Sequence, residues 1–504
     1  MLGPLARGAA PVVPGACPEW GGSPSTGISI WDPGSSGGLA SLGTVEVCVL
    51  RVEFLEDFTT QTTGDGRFDL ESSPPHDKDY IEGIWETVSG YFGDVSGGQM
   101  ELRYTVFPEQ QTAAYGLLHQ MSWYGGRDDW LEGSCMLLRD AVEAADPEVD
   151  FSLFDVVVVV HAGAGREADI LRDSPHDLSS VFLTLQELLS YLPGLDPYGI
   201  ATDDGVYVQA GCIVPEEETQ DGFGLGVIGV TVYELCRQLG LPALWNTLDG
   251  GVGIGAWGIM GYGQWVMDGF WPPAPCAYCR ARLGWIAPQT ASEDGTWPVI
   301  LDGTVLRIDL SGSEYFLVEN RVRDPDADGL PGEHEHDFGL PGSGVLVWHV
   351  DQGVIESREP FGDVNGNPDH KGVDLEEADG IQDFDYSLPD VYGIYGSEYD
   401  PYFQGGYAWL LGPDTEPSSA TSWGGNTFLT LEILDQPADT MDVSLSRTGN
   451  LDGWPIRTGS KASGVLCADF DGNALPDHLI WLDPLGIIWI YGTDGSFLKA
   501  IPAG

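Results

Sequence analysis

At 504 residues the chain has material for two or three domains, each with a proper core. Its net charge of −57 repels nucleic acid and anionic membrane and excludes both as partners; its 17 Trp, 19 Tyr and 18 Phe exclude a disordered acidic polymer. No run reaches the roughly 18 consecutive apolar residues of a membrane-spanning helix.

Residues 1–40 are rich in Gly, Pro and Ser and read as a tail. Within them GSSGG (34–38) satisfies G-x-S-x-G, but no strand precedes Ser36 and no helix follows it, so the match is chance. TVEVCVLRVEFL (44–55) is the first strong strand, and KDYIEGIWETVSGYFG (78–93) is an amphipathic helix with Ile81, Ile84, Trp85 and Val88 inward. DVSGGQMELRYTVFP (94–108) gives a turn and strand, 129–146 a further helix, and FDVVVVVHAGAG (154–165) a buried central strand ending at His161. VYVQAGCIVPEEE (206–218) is a strand leading to the segment on which the chain is organised.

That segment is GFGLGVIGVTVYELCRQLGLPALW (222–245). Ile228, Val232, Leu235 and Leu239 recur at helical spacing, Gly240 stops the helix, and Pro242 lies just beyond. In a zinc peptidase such a helix carries His-Glu-x-x-His, because residues i and i+4 share a face and grip one ion while the Glu polarises its water. Here Glu234 stands between Tyr233 and Arg237 instead of two histidines.

YELCRQLGLPALW resembles the HExxHxxGLxD motif of the immune-inhibitor-A type of secreted metallopeptidases, with Glu234, Gly240, Leu241 and Pro242 in matching places. The family's third ligand, an Asp, corresponds to Ala243. GAWGIMGYGQW (255–265) resembles the family's Met-turn through Met260, and ARLGWIAP (281–288) follows at the family's interval. The helix–turn–strand at 78–108 and DILRDSPHDL (169–178) resemble further family segments, the latter bringing His176 and Asp177 as substitute ligands for a metal. The resemblance places His161 at the cleft; a structural His at a strand end is the competing reading. It implies an α/β zincin-like domain over 41–295, with zinc expected of the family and lost here. An Arg at a ligand position carries permanent positive charge into the place of a dication. The guanidinium can lie over the Tyr233 ring or pair with Glu234, and pairing would lower that carboxylate's basicity.

From about 296 the pattern changes to short strands: TVLRIDL (304–310), EYFLVENRV (314–322) and GVLVWHVDQ (344–352) suit an antiparallel sheet. With KGVDLEEADGIQDFD and the strands of 428–445, this stretch resembles the family's β-rich C-terminal half (296–449), so the likeness spans roughly 44–448. Between the strands DPDADGLPGEHE satisfies D-x-D-x-D-G-x5-E, with Asp324, Asp326, Asp328 and Glu335 as calcium ligands around Gly329. DVNGNPD offers Asp363, Asn365, Asn367 and Asp369 as a second set. Solvated acidic turns are the alternative for both. In 450–504, ADFDGNALPDHLIW resembles the calcium loop of FG-GAP or VCBS propeller repeats, with Asp469, Asp471, Asn473 and Asp477 as ligands. One blade cannot bury its own faces, so either more blades follow or this one packs on the sheet domain.

Cys276 and Cys279 form a C-x-x-C without a second pair, which favours a local disulfide or two free thiols over a zinc knuckle. The first twenty residues lack the apolar core of a signal peptide, whereas the resemblance implies an extracellular or cell-surface protein and hence a truncated or mis-called start. The leading expectation is a pseudopeptidase: a calcium-stabilised binding or scaffold module for a protein or peptide partner. The alternatives are an active zinc endopeptidase with an atypical metal site and a purely structural surface protein. No His lies between positions 177 and 333, so an active site would draw its imidazoles from distant segments.

Overall fold

The structure is a computed structural model describing residues 30–31, 41–332, 334–385, 395–447, 464–468, 478–482, 487–492 and 497–502. Its first part comprises β1 (Ile30–Trp31), β2 (Gly43–Glu53), α1 (Lys78–Val95), β3 (Met100–Phe107), β4 (Tyr115–Gly116), α2 (Met121–Gly125) and α3 (Trp130–Ala145). There follow β5 (Val156–Ala164), β6 (Val181–Leu183), α4 (Leu185–Tyr191), β7 (Ile200–Ala201), β8 (Tyr207–Val208), β9 (Gly211–Glu217) and α5 (Ile228–Gln238).

The main sheet has the order β3-β2-β5-β9-β6, parallel except for the edge strand β6, with β4 extending β2. Every residue of β5 is buried, as a β-branched run covered on both faces requires. Helix α1 starts where the Asp77 carboxylate accepts the amides of Asp79 and Tyr80, and buries Ile81, Trp85 and Val88. Ile84, expected inward, is only half-buried because it lines a surface cavity. Ile30–Trp31, inside the expected tail, pairs with Val208 and Tyr207 in a small sheet of order β1-β8-β7. The predicted strand over 206–218 is divided between that sheet and the main one.

The second part begins with α6 (Ala277–Arg282), β10 (Gln289–Thr290), β11 (Gly295–Ile300), β12 (Leu306–Ser311), β13 (Glu314–Arg321) and β14 (Gly344–Asp351). It continues through α7 (Gln352–Arg358), β15 (Val373–Leu375), β16 (Leu410–Leu411), β17 (Leu429–Ile433) and β18 (Thr440–Arg447). Strands β10-β12-β13-β14-β15 form one sheet, and β11-β18-β17-β16 a second. The first of these is the middle layer of the molecule. Leu317, Leu346, Trp348 and Val350 join the core of the α/β part, whereas Phe316, Val318, Val345 and Val347 meet Val299, Leu431, Met441 and Val443 of the second sheet. Strands β13 and β14 are therefore buried at every position, not alternately as their sequences suggest.

A buried ionic cluster ties the layers. Arg321 pairs with both oxygens of Asp337 and donates to the carbonyls of Trp257 and Ala274, while Arg280 and the Trp348 indole donate to Glu319 at 2.6 Å each. Beyond residue 463, β19 (Gly464–Ala468), β20 (His478–Leu482), β21 (Ile487–Gly492) and β22 (Phe497–Pro502) form a four-stranded antiparallel sheet in sequential order. The chain is thus a mixed α/β fold of several sheets, and among the described residues none closes into a barrel or propeller. No helix among those residues is long and apolar enough to cross a membrane.

Candidate functional site

Helix α5 follows β9 and packs so closely that a Cβ on Gly229 would lie 1.9 Å from the Gln264 carbonyl oxygen. Its end is a Schellman turn: Gly240, at φ +90, donates to the Arg237 carbonyl and Leu241 to that of Cys236. Sequence periodicity marks one apolar stripe, but every residue from Gly229 to Gln238 is buried.

The four positions singled out on and after this helix are brought together and sealed. The Tyr233 hydroxyl accepts the Trp245 indole N–H at 2.9 Å, and Arg237 Nη1 donates to the Leu241 carbonyl at 2.6 Å. Ala243 is buried beside them, and the next amide, Leu244, donates to the carbonyl of buried Met260. A phenol, a guanidinium and a methyl group at these positions do not fit a zinc ion, which takes imidazole, thiolate or carboxylate donors.

Glu234 is 1% exposed and one of its carboxylate oxygens has no hydrogen-bond partner. Burial pushes its pKa up to about 8, with the Arg237 charge pulling the other way and Glu167 adding to the rise. Arg237 acts on Glu234 in the expected direction, but desolvation outweighs it, so the pKa still lies above the ordinary carboxylate value.

Other buried acids surround the loop after β5. Glu167 accepts the Ser180 amide at 3.0 Å; Asp177 accepts that of Thr63 at 2.7 Å and is pushed by burial up to about 7. Glu218 is 0% exposed, has neither oxygen partnered, and is raised well above the usual carboxylate range by burial, with Glu167 next to it. Only the run of three Glu at 216–218 hinted at this group in the sequence.

His161 is fully buried in β5; desolvation pulls its pKa down to about 4, and its Nδ1 lies 3.0 Å from the Ala162 carbonyl. It is a neutral core imidazole, not a cleft residue. His176 packs on α2, its carbonyl oxygen 2.0 Å from where a Cβ on Gly125 would stand, and its amide donates to Gln61. Among the described residues, three groups of side chains could hold a metal, and none includes His161, His176, Asp177 or Glu234.

One such group is Asp324, Asp326 and Asp328, as expected, but Glu335 is not part of it. Its carboxylate instead accepts the Gly332 amide at 2.8 Å as the chain turns into a short 3-10 helix. Asp324 also accepts the amides of Asp328 and Gly329, so the turn closes on itself. The second expected calcium loop has its side chains engaged within the protein. Asn365 is buried, donates to the carbonyls of Leu244 and Val373, and accepts the amides of Gly372 and Val373 at 3.1 Å each, leaving its oxygen no free lone pair. Asp363 faces Arg358 at 3.3 Å, and the Asn367 side chain accepts the Asp369 amide. Asp469, Asp471, Asn473 and Asp477 lie outside the described residues. Cys276 and Cys279 are free buried thiols, 3.6 Å apart.

The second group is Asp169, Asp173 and Asp221. The third, His76, Glu216 and Glu217, was not foreseen. His76 follows two prolines in the loop before α1, its ring stacked on Tyr80 at 4.1 Å, while Glu216 and Glu217 end β9. The carboxylate of Glu216 holds the His76 pKa above its ordinary value despite burial. Tyr80 also lines a cavity of about 550 Å3 with Pro74, Pro75, Ile84 and Ile228.

No protein-family model matches this chain, and no curated protein matches it.

Proposed function

We propose that this chain is a secreted or surface homologue of the immune-inhibitor-A-type metallopeptidases in which hydrolysis has been lost and the frame serves as a scaffold. The observation that carries this reading is the sealing of Glu234, 1% exposed behind the Tyr233–Trp245 and Arg237–Leu241 hydrogen bonds. A peptide bond cannot reach this carboxyl. Burial raises its pKa and so favours the protonated form, which is no general base, and the phenol, guanidinium and methyl group at the neighbouring positions are no donor set for a zinc ion.

The same closure favours a structural role over peptide capture at α5, since Glu234 is buried and the Tyr233 and Arg237 side chains beside it are engaged with Trp245 and Leu241. A protein partner would then meet another surface. The Asp324–Asp326–Asp328 turn is the place where calcium would stiffen the β-rich part, its three carboxylates converging within 4.8 Å.

The test is hydrolysis of casein and of a fluorogenic peptide library, with zinc and calcium added. The expected rate is the same for the native chain and for Glu234→Gln, at the level of the buffer. Hydrolysis abolished both by a zinc chelator and by Glu234→Gln would overturn the proposal.

A further inference from the structure

We propose that His76, Glu216 and Glu217 form a binding site for one divalent first-row metal ion, zinc foremost, beside the cavity between α1 and α5. This goes beyond the scaffold reading and does not depend on it, because no residue of α5's former ligand face takes part.

The donor atoms of the three side chains all lie within 4.8 Å of one another. His76 Nδ1 and Glu216 Oε1 are 3.8 Å apart, too far for a hydrogen bond. Two donors each about 2.0–2.2 Å from a shared ion are separated by at most roughly 4 Å, so the gap is that of a bridged pair. Both side chains are buried, and His76 Nδ1 and Glu216 Oε2 have no hydrogen-bond partner. Buried polar atoms are ordinarily satisfied, and a cation bound between the imidazole and the Glu216 carboxylate would give His76 Nδ1 the partner it lacks.

The donor set chooses the ion. One imidazole nitrogen with carboxylate oxygens suits zinc and its first-row neighbours, whereas calcium takes six to eight oxygens. The other two groups differ: both are carboxylates alone, and Asp169 already accepts the amides of Asp173 and Ser174, Asp221 that of Leu171, and Asp324 those of Asp328 and Gly329. The imidazole is held in place. Its own backbone amide donates to the Asp69 carbonyl at 2.7 Å, and Tyr80 lies parallel to the ring, tilted by 13°. Glu217 is half-buried at the edge of the site, and the Tyr80 ring that stacks on His76 is shared with the cavity wall.

The experiment uses the full chain, stripped with chelator and titrated with zinc by calorimetry in millimolar calcium and magnesium, which occupy the carboxylate-only turns. Cobalt(II) absorption reports the coordination sphere. One zinc per chain is expected, with affinity reduced at least about tenfold in His76→Asn and in Glu216→Gln and unchanged in Glu234→Gln. Absence of stoichiometric zinc, or affinity retained in either folded variant of His76 or Glu216, would overturn the proposal. Should those core substitutions prevent folding, Glu217→Gln at the edge of the site decides: a tenfold loss and an altered cobalt spectrum support it, and unchanged binding refutes it.

Discussion

Replacing Glu234 by Gln should stabilise the protein, and by more as the pH rises. The side chain is 1% exposed, and on folding its pKa moves from 4.5 to about 8, chiefly by desolvation. Because the folded value lies above the unfolded one, the group's contribution is most favourable below pH 4.5 and is lost as the pH climbs through 8. Integrating the proton linkage gives a cost on the order of 3 kcal/mol at pH 7 and under about 1 kcal/mol at pH 5. Glutamine keeps the shape and removes the titration, so the difference between variant and native chain should open by roughly 2 kcal/mol between those two pH values. Urea unfolding followed by tryptophan fluorescence at pH 5, 6, 7 and 8 measures it. A difference that stays flat with pH, or a variant less stable at pH 7, would mean that Glu234 is ionised and paired in the fold, and the reasoning would fail.

Arg321→Met should destabilise by about 3–5 kcal/mol, since it leaves Asp337 buried without its charged partner while Glu319 keeps Arg280 and Trp348; a loss below about 1 kcal/mol in denaturant titration would refute this reading of the cluster. His349 lies between Glu314 and Glu376 at 3.0 and 2.9 Å, and although burial pulls its pKa down, these two carboxylates push it up to about 10. Its contribution is therefore complete below pH 6.5 and disappears as the pH rises through 10. His349→Gln should accordingly cost most at pH 6 and progressively less at pH 8 and 9.5, and a cost that grows with pH would contradict the pairing.

Much of the frame was legible because it follows from local patterns. The β-branched run of β5, the apolar spacing of Ile81, Trp85 and Val88 in α1 and the Gly240 stop after α5 each act within a few residues. What escaped depends on packing between segments far apart in the chain. Burial of β13 and β14 on both faces requires a third layer that alternation cannot announce. Asn365 matches a metal-loop pattern, but its side chain is used up on Leu244 and Val373, and nothing in the spacing distinguishes the two uses. Glu335 sits at the right interval for a calcium loop, yet the turn into the following 3-10 helix directs it to the Gly332 amide. His76 and the pair at 216–217 are joined only by the parallel sheet that brings the end of β9 under the loop before α1. Tyr233, Arg237 and Ala243 were readable as residues that make no zinc site, but the hydrogen bonds to Trp245 and Leu241 were not.

The most direct measurement is anomalous diffraction at the zinc edge from crystals grown with zinc, which locates the ion without reference to activity. A closed α5 predicts no anomalous density between Tyr233, Glu234 and Arg237. A peak there, with Arg237 or Tyr233 swung aside to admit the ion, would contradict the sealed helix and restore the case for a working peptidase.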